Sequence, residues 1–158
     1  MPQSEEIWRK ASILAIAGGL AFWAATFAVS LTPIATEYRD ALSISYLLMI
    51  VAALIGGLII GFFFSYFLLR FFDKIPTNNP ILKSVILSFI VIIIVTILLE
   101  GPSHFLTPTS DALRHFLIGT LFNVLRILAL GIVIGYLYER LYNGFNPSVI
   151  ASKSPQVE

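Results

Sequence analysis

At 158 residues, with 58% hydrophobic and 12% charged side chains, the chain is too apolar for one ordinary soluble domain, where about a quarter of residues carry charge. The absence of cysteine removes disulfides, thiolate metal sites, iron–sulfur clusters and thiol nucleophiles together. A formal net charge of +1, with no basic patch interleaved with aromatics, gives no reason to expect nucleic acid as a partner.

Arg9 and Lys10 precede the first apolar stretch, Ala11 to Leu31. Ala28-Val29-Ser30 resembles a signal-peptidase site, but the apolar run exceeds the roughly 7 to 15 residues of such signals, so the stretch is expected to be a true span. A loop with Arg39 and Asp40 leads to the second stretch, Ile44 to Leu69. The aromatic run Phe62-Phe-Phe-Ser-Tyr-Phe67 near its end is expected to anchor in lipid. After the turn signal at Asn79-Pro80 comes the third stretch, Ser84 to Leu99. It is slightly short for a hydrocarbon core of about 30 Å, so Lys83 is expected to snorkel at its end. The fourth stretch runs from Phe116 to Tyr138.

Four apolar stretches without alternation predict an all-α integral membrane fold, since lipid tolerates only helices or closed barrels and a barrel strand alternates. Residues 1–143 form one four-helix transmembrane domain on this reading, and 144–158 a flexible cytoplasmic tail. Seven basic residues (Arg9, Lys10, Arg70, Lys74, Lys83, Arg140, Lys153) fall on one side of the spans, against Arg39 and Arg114 on the other. This imbalance predicts a cell-membrane protein with both termini cytoplasmic.

The chain echoes itself. Lys10-Ala-Ser-Ile-Leu returns as Lys83-Ser-Val-Ile-Leu, Leu31-Thr-Pro as Leu106-Thr-Pro, Asp40-Ala-Leu as Asp111-Ala-Leu, and Gly57-Leu-Ile-Ile-Gly61 as Gly131-Ile-Val-Ile-Gly135, at offsets of 73, 75, 71 and 74 residues. The echoes predict two tandem helical hairpins related by a pseudo-two-fold axis along the membrane normal. The glycine pairs Gly57/Gly61 and Gly131/Gly135 let backbones approach, and packing inside the chain is preferred over dimerisation. The first, second and fourth helices are expected to make the tight contacts, with the third more lipid-exposed.

Arg126 is the residue least expected in its place, a guanidinium inside an apolar helix where insertion costs roughly 2.5 to 3.5 kcal/mol. Asn123 shares its helix face, and Glu100 at the end of the third stretch is the expected partner. Arg126, Asn123 and Glu100 therefore form a polar group inside the membrane, either a structural pair or a site for an anion.

Neither HExxH nor an acid–base dyad is present, and His104 and His115 both fall in or beside one loop. No catalysis, cofactor or metal is expected. The bare loops and small-residue faces point to a non-catalytic accessory or assembly subunit, with the bilayer and a membrane protein, or a second copy, as partners. The alternative is a homo-oligomeric transporter or channel for a small anionic solute that uses Arg126.

Overall fold

A computed structural model describes residues 2–77, 79–100 and 111–143, and every regular element among them is helical. The helices are α1 (Pro2–Ser30), α2 (Pro33–Ala41), α3 (Tyr46–Phe71), α4 (Pro80–Val95) and α5 (Ala112–Tyr138). α4 and α5 each run on into a π-helical turn, Thr96–Glu100 and Glu139–Asn143. Four of these helices, all but α2, are long and apolar enough to cross a membrane.

α1, α4 and α5 start earlier than their apolar stretches, because charged residues occupy their first turns rather than the loops before them, whereas α3 starts at Tyr46, after its Ser45 cap. In α1 an ion pair between Glu6 and Lys10, 2.6 Å and one turn apart, belongs to the helix. α4 starts at Pro80, which fixes a helical φ at a position whose N–H would be idle. Asn79 caps it, its side-chain oxygen accepting from the N–H groups of Ile81 and Leu82 at 2.9 and 3.3 Å.

α1 packs along α3 and against α5, and α5 packs against α4, while α3 meets α4 and α5 only briefly. The helices thus lie in the order α3, α1, α5, α4. Fully buried Leu14, Phe64, Leu68, Ile127, Leu130 and Ile134 fill the centre. This order corrects the expected packing: the third span is held closely by the fourth, whereas the second and fourth hardly touch. The reason lies in Ser84 and Ser88, both fully buried, which give α4 a narrow face.

Both glycine pairs are consumed inside the chain. A Cβ on Gly61 would lie 2.9 Å from the Ala15 carbonyl oxygen, and one on Gly57 3.0 Å from that of Gly19. On the other side, a Cβ on Gly135 would lie 2.9 Å from Ser84 Cβ and 3.0 Å from Ile81 Cα. Gly131 receives Ser88, and its carbonyl accepts the Ser84 hydroxyl at 2.5 Å. Ala15 and Ser84, which face the second glycine of each pair, are 69 residues apart, as are Gly19 and Ser88. That spacing is one helical turn less than the 73 residues between Lys10 and Lys83.

Lys83 does not snorkel. It is buried, its Nζ donates to the Phe72 carbonyl at 2.5 Å, and it lies 3.7 Å from the centroid of the Phe72 ring. The carbonyl-bearing end of α3 and the face of an aromatic ring both attract a cation, so the ammonium finds its partners in protein rather than water. The aromatic run of α3 also divides. Phe62 and Tyr66 lie against Trp8 of α1, with ring centroids 5.3 and 5.6 Å away, and Phe64 is core, so Phe63 and Phe67 remain exposed.

Candidate functional site

At the end of the bundle away from the N-terminus, α2 joins α1 to α3 and touches both α1 and α5. α2 forms because Thr32 caps it and Pro33 opens it. The Ala35 N–H donates to the Thr32 hydroxyl at 3.3 Å, and Ala35 is the residue this short helix buries. Glu37 ties α2 to the start of α5 through two contacts with the Arg114 guanidinium, at 2.8 and 3.0 Å. Tyr38 packs edge-on to Phe122 at 5.8 Å, with His115 at 6.2 Å.

Beneath α2 lies a cavity of about 180 Å³ lined by residues of four helices, among them Ser30, Tyr38, Arg39, Met49, Asn123 and Arg126. The Arg39 side chain is only 18% exposed; its Nε stands 3.9 Å from the Asp40 carboxylate and its guanidinium 5.4 Å from the Tyr46 ring. Arg126 is half-buried, with its guanidinium carbon 5.8 Å from the centroid of Phe122. Asn123 is buried one turn away. Ser30 donates its hydroxyl to the Phe27 carbonyl at 2.6 Å, and the Asn123 amide, the Tyr38 phenol and two guanidinium groups are the other polar side-chain groups on the wall. Val29, Ile44 and Phe122 add apolar wall. Towards the other end, the α1–α5 interface is closed by fully buried Leu14, Ile127, Leu130 and Ile134.

Arg126 and Asn123 thus share one cavity, as their common helix face predicts. Arg126 sits beside the last turn of α1, nearer the end of the spans than its place within the fourth apolar stretch suggests. The Glu100 side chain and His104 lie outside the described residues, and so does the tail from residue 144. Tyr38 and Arg39 are the lining residues that reading by apolar stretches passes over, because it treats 32–43 as loop. Thr32-Pro33 followed by Glu37 is a cap-and-proline helix start and carries the missing signal.

A second cavity, about 350 Å³, opens between α3 and α4. Its walls are wholly apolar, with Ile59, Phe63 and Phe67 on α3 facing Ile90 and Ile94 on α4. No family model matches the chain, and neither a curated protein nor a solved structure is significantly similar to it.

Proposed function

We propose that this chain is a multi-pass cell-membrane protein with both termini cytoplasmic, acting as a non-catalytic accessory or assembly subunit. The cleft between α3 and α4 carries the reading. These spans are the most apolar, with mean hydropathies of 2.8 and 2.9, yet the least covered, with 17% and 22% of their apolar windows buried against 33% and 39% for α1 and α5. The cleft walls are rows of side chains one turn apart, Ile59-Phe63-Phe67 and Ile90-Ile94. Such ridges suit the grooves of another helix better than a disordered lipid tail. The occupant is a transmembrane helix of a different polypeptide.

The test is the mass of the native assembly in mild detergent. A defined hetero-complex is expected, and Ile90→Trp, which fills the cleft from an exposed position, should release this chain from it while leaving the chain folded. A homo-oligomer, a monomer, or a complex indifferent to Ile90→Trp would overturn the assignment. A homo-oligomer with anion flux dependent on Arg126 would instead support a transporter. The shared cavity of Arg39 and Arg126 favours that second reading, although the filled α1–α5 interface would require the pathway to form between copies.

The orientation rests on the seven-to-two distribution of Lys and Arg. A cysteine at Thr36 should label with an impermeant reagent from outside and one at Thr77 should not; the reverse pattern would invert the topology. The four echoes support two hairpins from one duplicated unit, with the helices that face the glycine pairs slipped by a turn.

A further inference from the structure

We propose that α2 is a strap over the cavity, latched to α5 by the Glu37–Arg114 pair, and that it lifts and uncovers this end of the bundle when the pair is released. The proposal goes beyond the subunit reading and does not depend on it.

α2 is built to move as one piece, because its own residues close both its ends. The Thr32 hydroxyl caps the start. At the far end the Ser43 and Ile44 N–H groups donate to the Asp40 and Arg39 carbonyls at 3.1 and 3.0 Å. Ser43 makes that turn at φ 54°, alone among the described non-glycine residues in the left-handed region. α3 then starts with a cap of its own, the Leu48 N–H donating to the Ser45 hydroxyl at 3.3 Å. The last turn of α2 is complete at Ile44 and α3 begins from Ser45, so a hinge between them breaks none of these bonds.

Side chains fasten α2 to the bundle. Ala35 is the residue it buries, Tyr38 lies edge-on to Phe122, and Glu37 meets the Arg114 guanidinium at 2.8 and 3.0 Å. Packing of Ala35 and Tyr38 does not respond to ionic strength at short range, but the ion pair does. Its side chains are 47% and 57% exposed, and at about 1 M salt charges are screened beyond about 3 Å. The latch is therefore the fastening that ions in the surrounding water can loosen. What it covers is specific: Ala35, Tyr38 and Arg39 are the share of the cavity wall that α2 supplies. When α2 lifts, these three leave with it, and the wall formed by Met49, Phe122, Asn123 and Arg126 is opened to water.

The chain has no cysteine, so a single introduced thiol reports opening without ambiguity. Ala35→Cys in the full chain, in phosphatidylcholine nanodiscs, is labelled with N-ethylmaleimide at about 0.05 M and about 1 M sodium chloride. High salt should speed labelling roughly two- to fivefold, the range an exposed ion pair contributes. Arg114→Gln should give the same increase at low salt and remove the salt response. Exchanging the charges, Glu37→Arg with Arg114→Glu, should restore slow, salt-sensitive labelling. Met49→Cys, which lines the cavity from α3, should follow the same order and guards against a thiol at Ala35 propping the strap open. Ala11→Cys, fully buried near the other end of α1, should respond to neither change. Labelling indifferent to salt and to Arg114→Gln would mean that packing alone holds α2 and would overturn the latch. An equal increase at Ala11→Cys would mean that the whole bundle loosens and would overturn the strap.

Discussion

The hairpin of α1 and α3 and the hairpin of α4 and α5 solve one problem with different atoms. Each lays a glycine pair against a narrow face of its partner. In the first, Gly57 and Gly61 meet the backbone of Gly19 and Ala15 and the Phe22 side chain, contacts in which no side-chain hydroxyl takes part. In the second, Gly131 and Gly135 meet Ser88 and Ser84, and the Ser84 hydroxyl reaches the Gly131 carbonyl. Lipid tails are as apolar as leucine, so apolarity alone cannot hold two helices together in a bilayer. Close approach is what both hairpins share. The hydrogen bond of the second follows from it, because a glycine leaves its own carbonyl uncovered and a hydroxyl on the facing helix needs an acceptor.

The largest effects should come from restoring a Cβ where the neighbour is backbone. Gly61→Ala pushes on the Ala15 carbonyl and Gly135→Ala on Ile81 Cα, neither of which can rotate away. Each should cost about 1 to 3 kcal/mol, as overpacking does, measured by reversible unfolding in bicelles. Gly131→Ala should cost less, because its nearest obstacle is the Ser88 hydroxyl, a group that can turn. At Gly56 no atom lies within 4 Å, so Gly56→Ala should be neutral or stabilise by up to about 1 kcal/mol through helix propensity alone. Equal losses at Gly56 and Gly61 would show that close approach does not hold the first hairpin.

The same contrast explains what reading the residues in order could reach. Runs of apolar residues are set by bilayer thickness, so four spans were legible from composition and length. The glycine pairs were legible as close contacts, but not their partners: Ser84 and Ser88 look like a weak face beside Val91-Ile-Ile-Ile-Val95, and only three-dimensional placement shows both serines fully buried. Lys83 looked like a residue bound for water because the α3 terminus that receives it is a tertiary feature. The candidate site was half legible. Arg126 and Asn123 declare themselves by sitting in an apolar helix, whereas Arg39 is unremarked among loop charges until α2 folds it over the bundle. Its helix signal was present locally, in Thr32-Pro33, but its destination was not.

A small expected loss gives the sharpest test of the difference between hairpins. Ser84→Ala removes the hydroxyl that reaches the Gly131 carbonyl but keeps the Cβ, and hence the close approach. Hydrogen bonds between membrane helices average about 0.6 kcal/mol and reach about 1.7, because the separated helices find other partners. A loss near that average is expected, below that of Gly135→Ala in the same contact. The converse change, Ala15→Ser, places a hydroxyl on the first hairpin beside Gly61, where it can return its proton to a carbonyl one turn earlier in α1, as Thr26 does to Phe22 at 2.9 Å. It should therefore be close to neutral. If Ser84→Ala instead costs as much as Gly135→Ala, the second hairpin is held by its hydrogen bond rather than by proximity. The two hairpins would then share a geometry without sharing its physical cause.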